Sequence, residues 1–118
     1  MSWRVLITGG AGFIGFHLAK HLTASGHSVC LLDNHARGIV DQDLKELLLQ
    51  TEVTLIKTDL LNRDAVLALG GGFDAIFHLG AIIGVQNVLE RPFNVLVDNT
   101  LMLDNVIALA LQQLNLSR

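Results

Sequence analysis

The feature that most constrains the fold is the stretch VLITGGAGFIG at residues 5–15, which places four glycines within seven residues directly after an apolar run. A chain gains no stability from this much backbone freedom, so the loop indicates a tight turn or a close approach by another group. After the loop, Ile14, Leu18 and Leu22 recur at helical spacing. The segment therefore predicts a strand, a glycine loop and a helix, an arrangement that binds phosphate groups at the helix N-terminus.

The rest of the chain continues the alternation of short apolar runs and helical patterns. Together with residues 4–8, the runs at residues 28–32, 53–58 and 75–79 are almost continuously apolar. Such strands are buried on both faces, as in parallel sheets joined by crossover helices. The predicted fold class is α/β, a Rossmann-type doubly wound parallel sheet of strand order 3-2-1-4 that stops after the fourth βα unit, with residues 1–118 forming one domain.

Local signals predict where the helices between these strands begin and end. The fourth strand is apolar and lacks Pro or Lys, so we expect a neighbour to cover it. For the segment at residues 81–92 a flexible loop and a helical turn are both open. The boundary signals are Gly26 after the first helix, Asp41 or Asp43 before the second, Asn62 before the third and Pro92 at the start of the last, with Val97, Leu101 and Leu109 predicted to face the sheet.

Composition excludes several classes of protein. With 51% apolar and 16% charged residues the chain has enough apolar material for one core, and a net charge of −3 without a basic run argues against a nucleic-acid partner. The first residues do not form a signal peptide, and no apolar stretch approaches the length of a membrane span, so we expect a cytoplasmic location and no membrane partner. The single Cys30 is expected to be buried.

The glycines fit two related dinucleotide patterns. Gly10, Gly12 and Gly15 match G-x-G-x-x-G, and Gly9 with the last two matches G-x-x-G-x-x-G. Asp33 ends the second strand at roughly the expected distance of 20 residues, where its carboxylate accepts from a ribose 2′-OH and repels a 2′-phosphate. NAD is therefore favoured over NADP, although the nearby Arg37 keeps NADP open.

The segments TGGAGFIG, LLDN, TDL at residues 58–60 and HLGA at residues 78–81, followed by Asn99, occur in a familiar order and spacing. In these motifs the chain resembles the extended short-chain dehydrogenase/reductases, and within them the NAD-dependent epimerase/dehydratase branch, which mostly acts on nucleotide sugars. The resemblance covers essentially the whole chain and corresponds to the N-terminal part of the family fold.

The resemblance also implies a set of cofactor contacts. It gives glycines of the loop the turn and the close approach to pyrophosphate, Asp33 and Asn34 the adenosine ribose, and the residues after the fourth strand the nicotinamide side. The family pattern usually has Ala where Gly80 stands. The complete predicted cofactor-binding set is Gly9, Gly12, Phe13, Ile14, Gly15, Asp33, Asn34, Asp59, Leu60, Leu79, Gly80, Ala81 and Asn99.

Chemistry is where the chain departs from the family. The resemblance implies a catalytic Tyr-x-x-x-Lys pair, and this chain contains no tyrosine. We predict no catalytic residue here, since a packed histidine at the end of the fourth strand is the favoured interpretation of His78. No metal site is predicted either, although His17 and His21 have a spacing that binds metals.

Three hypotheses follow. The first is an inactive cofactor-binding part of an enzyme whose full-length form binds a nucleotide sugar. The second is a complete non-catalytic module that binds a dinucleotide or a protein and forms a homodimer through its fourth strand. A Rossmann enzyme of another kind, such as a methyltransferase, is the minor alternative, because both Gly15 and Asp33 are present.

Overall fold

The computed structural model describes residues 1–34, 41–82 and 84–118. Its sheet has strand order β3-β2-β1-β4, and every neighbouring pair is parallel, which confirms the predicted fold class and order. At the centre, Leu6 stands between Cys30 and Ile76 in register. The four strands are β1 (Arg4–Thr8), β2 (Ser28–Asp33), β3 (Val53–Lys57) and β4 (Ala75–His78).

Helices follow the strands, with caps where the sequence placed them. The Asp41 side chain accepts from the backbone N–H of Leu44 at 2.9 Å, and Asn62 caps the third helix by accepting from Ala65 at 3.1 Å. Within the segment at residues 81–92, for which a loop and a helical turn were both open, residues 85–90 form a helix. The helices are α1 (Phe13–Ala24), α2 (Gln42–Leu47), α3 (Arg63–Leu67), α4 (Val85–Glu90) and α5 (Pro92–Leu111).

The sheet is covered on both faces, which explains why its strands are continuously apolar. Successive side chains of β1 point to opposite faces, so Val5 and Ile7 lie in one core and Leu6 lies in the other. The first core includes Ala19 of α1 and Leu44 of α2. The second contains Phe73 and the buried side of α5, onto which α3 packs.

The orientation of α5 differs from the prediction. Val97 is 53% exposed and Leu101 is 48% exposed, and of the three predicted sheet-facing residues only Leu109 is buried. The buried positions are Met102, Asn105, Val106 and Leu109, a helical stripe that includes one polar residue. The prediction was wrong because α5 carries apolar residues around its whole circumference, so periodicity did not single out one face.

The same helix corrects the expectation that no apolar stretch approaches the length of a membrane span. At 20 residues α5 is long and apolar enough to cross a membrane by length and composition alone. Core helices of soluble proteins satisfy the same two criteria. In this structure 22% of the apolar window is buried, and Met102, Val106 and Leu109 pack in the core on one face of the sheet.

The outer edge of β4 is partly covered by the last residues of the chain. Ser117 donates its N–H to the Asp74 carbonyl at 2.8 Å, and Ile76 donates to the Arg118 carbonyl at 3.0 Å. These two bonds satisfy the Asp74 carbonyl and the Ile76 N–H on the side of β4 that faces away from β1. A homodimer through this edge stays a prediction, and it would have to displace both bonds.

Candidate functional site

A cavity of about 630 Å³ lies where the strands end. Gly9 follows β1, Asp33 ends β2, Thr58 follows β3 and Leu79 follows β4, and all four line it. Because the strands are parallel, their carboxyl ends meet at one edge of the sheet, the edge at which doubly wound sheets bind ligands. We call this cavity the cleft.

Most of the predicted cofactor-binding residues lie around the cleft. Four of them, Ile14, Gly15, Asp59 and Asn99, are not among its described lining residues. Predicted residues that line it are Gly9, Gly12, Phe13, Asp33, Asn34, Leu60, Leu79, Gly80 and Ala81, and lining residues that the sequence reasoning missed are Leu32, Thr58, Ile82, Asn87, Arg91 and Met102.

The glycine loop is held in a fixed shape by backbone contacts. Gly9 has a φ of +67°, and a Cβ there would lie 2.9 Å from the backbone nitrogen of Gly80. At Gly15, a Cβ would lie 2.8 Å from both the Cα of Gly10 and the carbonyl oxygen of Gly9. These glycines are therefore required by the fold itself, one for its conformation and both for close packing.

Gly12 has no such internal requirement. Its φ is −79°, which any residue adopts, and the nearest atom to a Cβ built there is the carbonyl oxygen of Gly9 at 3.4 Å. Gly12 lines the cleft and is the N-cap of α1. Glycine is a favourable N-cap, and in the wall of the cleft it also leaves room for the close approach of a ligand.

The N-terminus of α1 suits an anion. No side chain among the described residues caps it, and its first turn carries no acidic residue. The first backbone N–H groups of a helix lack intrahelical partners, and the helix dipole gives that end a partial positive charge. Phe13, the first residue of α1, lines the cleft, so these donors stand at its wall.

Asp33 ties the end of β2 to the glycine loop. Its carboxylate Oδ2 accepts from the backbone N–H of Ala11 at 3.0 Å, and Gly10 donates to the carbonyl of Leu32 at 3.1 Å. The predicted ribose contact is therefore held beside the predicted phosphate loop. Arg37, which kept NADP open, lies outside the described residues.

On the side of the cleft formed by the residues after β4, a buried threonine hydroxyl holds the backbone in place. Thr8 is fully buried, and its Oγ1 accepts from the N–H of Gly80 at 3.0 Å while lying 2.7 Å from Nδ1 of His78. Burial lowers the pKa of His78 below its ordinary value of 6.5 and so favours the neutral ring. A neutral ring with its proton on Nε2 accepts the Thr8 hydroxyl hydrogen at Nδ1, which satisfies all three groups.

This pairing predicts a pH-dependent stability. Because the pKa of His78 is lowered in the folded chain, the unfolded chain binds more protons below pH 6.5, the ordinary value, and stability is lost as pH falls through the folded value. We expect the urea unfolding midpoint of the unmodified chain to drop from neutral pH toward pH ~5. The midpoint of His78→Asn should drop less, because its amide oxygen accepts in place of Nδ1 and does not titrate. Identical pH profiles for the two proteins would contradict the assignment.

Two asparagines of α5 position other walls of the cleft. Asn99 clamps the backbone of Ile82, accepting from its N–H at 2.8 Å and donating to its carbonyl at 3.1 Å, so it braces the loop after β4. Its predicted contact with a cofactor stays a prediction. Asn105, which that reasoning did not single out, donates to the carbonyl of Leu60 at 2.7 Å and accepts from Arg63 at 3.2 Å. These bonds explain a buried polar residue on the packed face of α5.

Two further predicted residues have local roles in the structure. Asp59 accepts from the N–H of Leu61 at 2.9 Å, which stabilises the turn after β3. At Gly80, a Cβ would lie 2.7 Å from Cδ1 of Leu60, so the Leu60 side chain fills the space that an alanine would need. Their contacts with a cofactor stay predictions.

A metal centre finds no support in the described part of the chain, where no three His, Cys, Asp or Glu residues gather closely enough to hold an ion. The His17 ring instead makes edge contacts with Phe13 and Phe16, at centroid distances of 4.5 and 5.0 Å. Cys30 is buried, as expected, and burial raises the pKa of its thiol.

Comparison with known proteins gives a consistent result. The model of the NAD dependent epimerase/dehydratase family matches residues 5–118. A curated UDP-N-acetyl-alpha-D-glucosaminuronate decarboxylase from Bacillus cytotoxicus is 35% identical over 112 residues, which are 95% of this chain and 34% of that protein. The chain thus spans about a third of the length of this relative.

Solved structures agree in fold and in extent. The UDP-Glc/GlcNAc 4-epimerase from Campylobacter jejuni superposes with a TM-score of 0.83 at 32% identity, covering 93% of this chain and 34% of that one. The UDP-glucose 4-epimerase from Thermus thermophilus, solved as a complex with NAD, superposes with a TM-score of 0.72 at 30% identity. The match covers 91% of this chain and 33% of that one.

Proposed function

Because the chain belongs to the NAD dependent epimerase/dehydratase family, we propose that it is the cofactor-binding part of an enzyme acting on a nucleotide sugar, and that its cleft holds NAD. The names of its relatives, which specify UDP-linked sugars, and the NAD complex of one structural neighbour support this proposal. Since the chain spans about a third of those proteins, the substrate and the overall activity belong to the proposal. A cytoplasmic location stays a prediction from composition.

The observation that carries the proposal is Gly12. Other glycines of the loop are explained by contacts within the chain, whereas a Cβ at Gly12 meets no protein atom closer than 3.4 Å. A pyrophosphate that approaches the backbone closely, against the uncapped N-terminus of α1, accounts for a glycine at this position.

The remaining residues fit the parts of the same cofactor. Asp33 and Asn34 would hold the adenosine ribose, Leu60 would contact the adenine, and the residues after β4 would lie along the nicotinamide side. The Asp33 carboxylate favours NAD over NADP because it repels a 2′-phosphate. When bound, NAD supplies a hydride acceptor.

The chain itself supplies no general acid or base of the family type. It contains no tyrosine, and His78, which has an acid/base side chain, is paired with Thr8. We therefore propose that this chain binds cofactor without turning over substrate.

Gly12→Ala tests the proposal directly. The added methyl group would project toward the cleft, so we expect NAD and ADP affinity to fall by about tenfold or more, since a steric conflict with the pyrophosphate costs at least ~1.4 kcal/mol. The unfolding free energy should fall by about 1 kcal/mol or less, because alanine is a poorer N-cap than glycine, while φ suits alanine and the nearest protein atom lies at 3.4 Å. Calorimetric titration and urea unfolding measure the two quantities.

Gly71→Ala is the matched control. It lies outside the cleft, and a Cβ there has its nearest atom at 4.0 Å, so both binding and stability should stay unchanged. Equal NAD affinity in Gly12→Ala and the unmodified chain would overturn the assignment of the loop. An unmodified chain that binds neither NAD nor ADP would overturn the proposed function itself.

A further inference from the structure

A second polar wall of the cleft is formed by α4. Asn87 and Arg91 stand one helical turn apart, and both line the cleft together with Gly12 and Phe13. The Arg91 Nη2 donates to Oδ1 of Asn87 at 3.3 Å, an exposed contact one turn apart that favours a guanidinium position beside Asn87. Arg91 also joins α4 to α5, because Pro92 begins the next helix.

The charges around the cleft single out Arg91. Among the described lining residues it is the only cation, and Asp33 is the only anion. The glycine loop offers backbone donors and a partial helix charge but no full positive charge. A diphosphate carries two negative charges, so backbone donors alone leave it incompletely neutralised.

A guanidinium is well suited to that task. It is always protonated and presents a planar fork of donors that matches two phosphate oxygens at once. Arg91 is exposed, and it lines the cleft from the segment that follows β4 rather than from the glycine loop.

We propose that Arg91 binds the diphosphate group of a nucleotide ligand in this cleft, a role that rests on the proposed function and extends it. Two ligands present this chemistry: the pyrophosphate of NAD, and the diphosphate of a UDP-linked sugar. Asn87 acts on the ligand through Arg91 by orienting the guanidinium.

The test compares Arg91→Gln, Arg91→Lys and the control Arg118→Gln by calorimetric titration of NAD, ADP, UDP and adenosine. Arg118 carries the same charge outside the cleft, and its structural bond uses only its backbone carbonyl. We expect Arg91→Gln to lower the affinity for phosphate-bearing ligands by about fivefold at low salt, the effect of losing an exposed ion pair. Arg91→Lys should retain part of the affinity, and adenosine should bind all the proteins equally.

Ionic strength provides an independent signature. The difference between Arg91→Gln and the unmodified chain should shrink as salt rises from about 0.01 M to about 1 M, over which the Debye length falls from about 30 to about 3 Å. The exposed side chain is not packed in the core, so far-UV circular dichroism and unfolding midpoints should match.

Each outcome decides between the alternatives. Weakened NAD and ADP binding with unchanged UDP binding assigns Arg91 to the cofactor, and weakened UDP binding alone assigns it to the nucleotide sugar. Weakened binding of all three ligands supports recognition of the diphosphate group that they share. Equal losses in Arg91→Gln and Arg118→Gln, or no loss in either, would overturn the inference while leaving the proposed function intact. An unmodified chain that binds none of the phosphate ligands would overturn both.

Discussion

Gly9→Ala is expected to lower the unfolding free energy by roughly 3 to 5 kcal/mol, the sum of a strained backbone and an overpacked contact. The native φ at this position is +67°, and the new Cβ would lie 2.9 to 3.0 Å from backbone atoms of Leu79 and Gly80. The backbone of Gly80 is held by its hydrogen bond to the buried Thr8 hydroxyl, so it cannot move aside cheaply. Urea unfolding monitored by circular dichroism measures the loss as a lower midpoint.

Gly26→Ala separates the two contributions. Gly26 has a φ of +92°, but a Cβ there would meet nothing within 4 Å, so only the backbone strain remains. We expect that control to cost about 1 to 2 kcal/mol. If the two variants were equally stable, the contact between the glycine loop and the segment after β4 would carry no energy, and the rigid shape assigned to the loop would be wrong.

The sheet was predictable because its signals are local and repeated. Each strand is a continuous apolar run, since both faces are covered, and each is followed by a helical pattern; that combination admits few topologies. Caps at Asp41 and Asn62 were equally visible, because a short polar side chain before an amphipathic run has one common structural use.

Orientation of α5 and placement of α4 were not predictable in the same way. The buried face of α5 is selected by Met102, Val106 and Leu109 meeting the sheet, and by Asn105 finding the carbonyl of Leu60. Those partners lie far away in sequence, and apolar residues on every side of the helix left the choice open. The sequence left residues 81–92 undecided between a loop and a helical turn. Asn87 and Arg91 could therefore not be assigned to the cleft.

The same distinction holds for the site. The glycine loop and Asp33 could be predicted as site residues, because a motif is defined by residue types at fixed spacing in the sequence. Thr8 was read only as the end of a strand, yet its hydroxyl reaches Gly80, 72 residues away, and His78 on the neighbouring strand. That bond appears only once β1 and β4 are paired in register, with Thr8 opposite His78.

Thr8→Val is therefore expected to destabilise the chain by about 2 to 4 kcal/mol, although valine has nearly the same shape as threonine. The hydroxyl is fully buried, and its loss leaves the N–H of Gly80 and Nδ1 of His78 without their partner. A fully buried unsatisfied polar group costs about 1 to 3 kcal/mol. The two groups affected here are partly buried, so each should cost an amount toward the lower end of that range. Chemical denaturation measures the loss.

Thr8→Ser is the control because it keeps the hydroxyl and removes one methyl group, a change expected to cost about 1 kcal/mol. The segment that Thr8 holds lies on the proposed nicotinamide side of the cleft, so Thr8→Val should weaken NAD more than ADP, whereas Thr8→Ser should affect the two ligands alike. A valine variant as stable as the unmodified chain would show that the hydroxyl contributes nothing. Equal losses of NAD and ADP affinity would instead place the bond between Thr8 and Gly80 in the framework of the fold and outside cofactor selection.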